Sequence, residues 1–175
     1  MAWIYSTLGD QERALQLYRE ALAIFREVKD MGGLGNSTND LAEVHAKLGD
    51  YGLALKLHTE ALAIRRSIGD RGGEAVTLHN LAKAYARVGD REKARDHFER
   101  SLRILRDLAS HRKVATALRN LGKLERESRD YARSLACLNE ALEISHVIGD
   151  RKGEADALVE LAGGAIVVPG ATSEE

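Results

Sequence analysis

Apolar and small residues recur along this chain at helical spacing, and the pattern restarts at regular intervals. Leu78, Leu81, Ala82, Tyr85 and Val88 fall on one stripe, the spacing that puts side chains on one face of an α-helix. After Gly89-Asp90 a second stripe begins, with Ala94, Phe98, Ser101, Leu102, Leu105 and Leu108. Gly89 suits the left-handed residue that ends a helix. Asp90 suits the N-cap of the next, where a carboxylate accepts a backbone N–H. So short a link makes the two helices antiparallel neighbours.

The helix pair repeats with a period of forty residues. Leu41, Leu81, Leu121 and Leu161 form one column, and Ala42, Ala82, Gly122 and Ala162 the next. The first turn reads Gly9, Gly49, Gly89 and Arg129, each followed by aspartate. The second turn reads "IGDRGGEA" from Ile68 and "IGDRKGEA" from Ile148. At the corresponding Ala109-Ser110, Ser110 is the expected cap. This register predicts a partial first repeat at 1–30, repeats at 31–70, 71–110 and 111–150, and a half repeat at 151–162. The array therefore spans 1–162 and reads as cut at both ends, since Met1 stands in the column of Leu41. Residues 163–175 break the pattern and read as an irregular tail in which Pro169 stops any helix. Gly32, Gly33 and Gly35 are expected to loosen the start of their helix.

Composition narrows the function classes. With 44% apolar and 30% charged residues the chain has enough apolar surface to fold. A net charge of -1 gives no general attraction for nucleic acid or a membrane surface, and neither is an expected partner. No apolar run reaches the roughly 18 residues of a membrane span. The N-terminus shows no charged region followed by an apolar core, so a cytoplasmic location is expected. The lone Cys137 leaves no intramolecular disulfide and reads as a buried small hydrophobe. No histidine stands in HExxH or in a Cys/His metal spacing. His45 and His58 fill the columns of Tyr85 and Phe98 and are expected to pack. No catalytic set, metal site or cofactor is expected, and the chain does not read as an enzyme.

The columns Leu81, Ala82, Tyr85, Gly89, Ala94, Phe98 and Ser101 resemble the tetratricopeptide repeat. That family's proline near the end of the second helix is absent here, and the helix runs on through Arg103 to Leu108, giving the longer period. The long form is similar to arrays in Pins/LGN-type polarity adaptors, kinesin light chains and bacterial regulators. The resemblance implies an all-α fold, the tetratricopeptide α–α superhelix, a right-handed solenoid of antiparallel helix pairs. It implies a protein-interaction scaffold or adaptor that holds a peptide or helix of a partner in a concave groove. The groove face of the first helices would carry Asn36, Asn39, Asp40 and Glu43 in one repeat and Val76, His79, Asn80, Lys83 and Arg87 in the next. It would continue with Thr116, Arg119, Asn120 and Lys123, then Asp156 and Glu160. Asn80 and Asn120 match a column where the family uses asparagine to bond a peptide backbone. Such a groove is basic in its middle, at Lys83, Arg87, Arg119 and Lys123, and acidic at both ends, at Asp40, Glu43, Asp156 and Glu160. It suits a partner with a central acidic stretch. The alternative is a structural segment of a larger protein that self-associates through its open repeat ends or the tail around Ile166-Val167-Val168.

Overall fold

The computed structural model describes residues 10–165, and among these the secondary structure is eight α-helices with no strand. They are α1 (Gln11–Glu27), α2 (Met31–Lys47), α3 (Tyr51–Ser67), α4 (Arg71–Arg87), α5 (Arg91–Asp107), α6 (His111–Glu127), α7 (Tyr131–Val147) and α8 (Arg151–Ala165). The all-α expectation holds. The chain divides into two compact units, 1–104 and 105–175, with the division inside α5.

One turn chemistry joins the helices. Gly49, Gly69, Gly89 and Gly149 all have positive φ, near 70 to 85°, which a glycine adopts without steric cost. Lys29, Ala109 and Arg129 take the same conformation with a Cβ present, at roughly 1 kcal/mol or more each. The following aspartate caps the next helix. Asp10, Asp30, Asp50, Asp70, Asp90, Asp130 and Asp150 each accept the backbone N–H three residues on. Ser110 departs from expectation. It holds the N-cap position, but its side chain makes no capping hydrogen bond. Val88 and Leu108 also depart, at 49% and 44% exposed. Each lies one residue past its helix, where the chain is already turning.

In unit 1, successive helices pack together from α1 to α4, and α2 also touches α4. Ala14, Tyr18, Leu22, Leu34, Leu41 and Val44 form one buried cluster, flanked by Phe25, Leu57 and Ile64. The Ser101 hydroxyl, with the residue wholly buried, ties α5 to α4 by donating to the Ala75 carbonyl at 2.8 Å. The glycines at the start of α2 do not loosen it. A Cβ on Gly33 would come within 2.4 Å of the Phe25 ring, and one on Gly35 within 3.2 Å of Ile64. They are places of close helix approach.

In unit 2, α6 packs on α7, α7 on α8, and α6 on α8. Gly122, where its column otherwise has alanine, faces Leu138, whose Cγ would lie 2.8 Å from an added Cβ. α8 continues through Ala165, three residues into the expected tail. The rest of that tail, with Ile166-Val167-Val168 and Pro169, lies outside the described residues. Among the described residues no helix is long and apolar enough to cross a membrane.

Candidate functional site

In unit 1 the expected groove residues lie on α2 and α4, but several are committed to holding these helices and α3 together. Asn39 is 3% exposed. Its Oδ1 accepts from His58 Nδ1 at 3.1 Å and from Asn80 Nδ2 at 3.4 Å. An amide oxygen can only accept, so His58 carries its proton on Nδ1 and keeps a lone pair on Nε2. Asn36 Oδ1 accepts from Arg65 Nη2 at 2.9 Å, and Arg65, itself buried, also donates to the Gly73 carbonyl. Tyr18 donates its hydroxyl to Asp40 at 3.4 Å. Burial raises the Asp40 carboxyl above its usual range, against the pull of Asn39, Tyr18 and Arg65.

Two histidines here are held neutral. Burial first, then the nearby Lys83 and Arg65 charges, lower the His58 pKa to about 4. Burial, then Lys83, does the same for His79, also to about 4. The His79 ring meets Phe98 of α5 edge-on, with centroids 5.2 Å apart and planes at 73°.

Beside this network lies an open cleft of about 320 Å³. Glu43, Ala46 and Lys47 of α2 form one wall, Tyr51 and His58 of α3 a second, and Asn80, Lys83, Ala84 and Arg87 of α4 a third. Lys83 and Arg87 are exposed and stand one helical turn apart. Val76, His79, Asn36, Asn39 and Asp40 are not part of the lining.

In unit 2 the expected groove charges largely answer one another. Arg119 Nη1 lies 2.5 Å from Asp156 Oδ2. Arg126 reaches Glu160 twice, Nη1 donating to its carbonyl at 2.9 Å and Nη2 to its carboxylate at 2.8 Å. Thr116 turns its hydroxyl back to the Arg112 carbonyl at 3.0 Å. Lys123 is exposed and Asn120 half-buried. Of the four expected basic-centre residues, Lys83 and Arg87 belong to unit 1, Arg119 and Lys123 to unit 2.

Tyr51 and His58 enter the cleft lining from a second helix, which sequence reasoning on first helices alone passed over. The available signal was His58 itself, a polar residue in a column otherwise filled by Tyr18, Phe98 and Leu138. His45 and His58 are buried, as packing residues should be. Cys137 is half-buried instead of buried. Partial burial, then the Glu125 and Glu140 charges, push its thiol pKa up, which disfavours the reactive thiolate.

Two family models, both for the tetratricopeptide repeat, match the chain, one over residues 34–107 and the other over residues 1–28 and 114–148. No curated protein matches it. Among solved structures it is similar to BtubC (BKLC) from P. vanneervenii, at 22% identity and a TM-score of 0.74, covering 99% of this chain and 82% of that one. It is similar to the apo form of RapI, at 19% identity and a TM-score of 0.80, covering 89% of this chain and 44% of that one. It is also similar to aspartyl phosphate phosphatase F from Bacillus subtilis, at 14% identity and a TM-score of 0.85, covering 91% and 42%. The chain thus spans less than half the length of the latter two. At these identities the likeness speaks to the fold alone.

Proposed function

This chain belongs to the tetratricopeptide repeat family, and from that premise we propose that it is a protein-interaction module that holds a peptide or helix of a partner against its first helices. The observation that carries this reading is the unit 1 cleft. It is concave, open, partly apolar at Ala46, Tyr51 and Ala84, and rimmed by the exposed cations Lys83 and Arg87. A cleft of this size with a few convergent polar groups is a usual form of binding site. The partner segment carries negative charge where it meets unit 1. In unit 2, Arg119 and Arg126 are already paired to carboxylates, so the reading rests on unit 1. Binding, not catalysis, is the role proposed, in the cytoplasm and without a cofactor.

Charge reversal tests it one unit at a time. The chain is used as bait, and captured proteins are identified and quantified over a salt series. Lys83→Glu with Arg87→Glu should reduce capture at least about tenfold, the effect of losing charge-assisted contacts worth ~1.5–3 kcal/mol each. Arg119→Glu with Lys123→Glu should reduce it less. Capture that survives the unit 1 pair with unchanged salt dependence rules the cleft out as the contact.

A second reading rests on α8. Leu158 and Val159 are 53% and 70% exposed, whereas Leu78 and Leu118, at the repeat position of Leu158, are 0% and 2% exposed. Such a face suits a structural segment that stacks on another copy or on more of the same protein. A concentration-dependent mass in sedimentation, abolished by Leu158→Glu, would favour stacking. A monomer at all concentrations would count against stacking on another copy.

A further inference from the structure

We propose that copies of this chain associate head to tail, the open face of α8 on one copy packing against the C-terminal half of α1 on the next. The inference rests on the second reading above, that α8 stacks on another copy, and it adds which surface of that copy is met.

The period is the first argument, because it turns each contact between paired helices into an expectation at the matching columns of other repeats. Two such contacts lie inside unit 1. A Cβ on Gly35 of α2 would lie 3.2 Å from Ile64 of α3. Ser101 of α5 donates its hydroxyl to the Ala75 carbonyl of α4 at 2.8 Å. Gly35 and Ala75 share one first-helix column, and on α8 that column holds Ala155. Ile64 and Ser101 stand in two second-helix columns, and on α1 those columns hold Ile24 and Ala21. The repeat therefore assigns Ile24 and Ala21 as the natural cover of Ala155.

Exposure is the second argument. Gly35, Ala75 and Ala115 are buried, whereas Ala155 is exposed. Ala42, Ala82 and Gly122 are buried, whereas Ala162 is exposed. Leu158, at 53% exposed, lies between them on the same face of α8. The matching half is open on α1. Ile24 is 58% exposed where Ile104 is 6% exposed and Ile64 and Ile144 are partly buried. Ala21 is partly buried where Ala61, Ser101 and Ala141 are buried. One chain thus leaves open both halves of a single kind of contact, the first-helix half on α8 and the second-helix half on α1. An α8-to-α8 pairing would leave Ile24 in water, whereas the head-to-tail pairing closes both patches. Because unlike surfaces meet, the assembly closes into a ring or continues as a filament.

The test is sedimentation of the full chain over a wide concentration range. The wild type should associate. Leu158→Glu and Ile24→Glu are at exposed positions, and circular dichroism checks that both variants keep their helices. Each should weaken association at least about tenfold. Ala155→Glu should act as Leu158→Glu does. An equimolar mixture of Leu158→Glu and Ile24→Glu should form a one-to-one dimer at concentrations where neither variant associates alone. The mixture pairs the intact α8 of one variant with the intact α1 of the other. If Ile24→Glu associates as well as the wild type while Leu158→Glu does not, the α1 surface is wrong and stacking through α8 still stands. A mixture that stays monomeric overturns the head-to-tail pairing in the same way. A wild type that is monomeric at every concentration overturns this inference together with stacking on another copy.

Discussion

Lowering the pH from 7 to 4 should weaken the fold by about 3 kcal/mol through His58 alone. Its folded pKa is about 4 against an ordinary 6.5, and each unit of difference corresponds to ~1.4 kcal/mol between the two protonation states. The sign follows from which state binds the proton. Below pH 6.5 the unfolded chain takes up a proton that the folded protein refuses until about pH 4. Stability is therefore full above 6.5, declines through the window between, and has lost the whole His58 contribution below about 4. His79, lowered to about 4 with burial as the first cause, acts in the same direction over the same window. Urea unfolding of the chain and of His58→Phe, at pH 7 and at pH 4.5, isolates the effect. Phenylalanine fits the site by precedent, since Phe98 fills the same repeat position at 2% exposed. The variant loses the hydrogen bond to Asn39, worth ~1 kcal/mol, at both pH values. The wild type should nevertheless fall further than His58→Phe on acidification, and equal falls would show that His58 is not held neutral in the fold.

The helices and turns were legible in the sequence because they depend on local chemistry. A positive-φ residue followed by an aspartate cap needs only its own neighbours, and the period made every instance visible. Ser110 shows the limit. Its place in the register identified the cap position, but whether a hydroxyl turns toward the free N–H depends on its rotamer, which the register does not encode. The α2 glycines show another. As isolated residues in a helix they read as slack, yet Gly33 and Gly35 are shaped by Phe25 on α1 and Ile64 on α3, and those contacts exist only once the helices have packed. The surroundings of the expected groove residues were not legible for the same reason. Spacing puts Asn39, Asn80 and Arg119 on the expected groove face of their helices, but does not say what that face meets. Asn39 meets His58 and Asn80, and Arg119 meets Asp156. A formal charge counted along a helix is available to a partner only when no neighbouring helix has already answered it, and the neighbour lies about forty residues away.

Phe98→Ala should be the most damaging single substitution in unit 1, at about 3–5 kcal/mol, the range for truncating a buried aromatic. Its position is occupied in successive repeats by Tyr18, His58, Phe98 and Leu138, exposed at 6%, 1%, 2% and 1%. Every repeat thus buries a large side chain between its helices, and alanine would leave a cavity that neighbouring backbones, fixed by Ala94 and Ser101 at 0% exposure, cannot close. Phe98→Leu should cost far less, about 1–1.5 kcal/mol, because Leu138 already serves in that column. Chemical denaturation of both variants checks the order, and similar losses would mean that aromatic shape, not volume, is what the site requires. A second consequence ties this core residue to the acid response. Phe98 covers one side of His79, and burial is the first cause of the low His79 pKa. Removing the ring lets water reach the imidazole, so its titration should move up toward 6.5. The His79 share of the acid loss should then disappear in Phe98→Ala while the His58 share, set by Asn39 and the α2 and α4 walls around it, remains. Histidine titrations followed by NMR in the truncated variant separate the two. Movement of His79 without movement of His58 is the expected result, and a shift of both would mean that the cavity loosens the cleft wall as well as the core behind it.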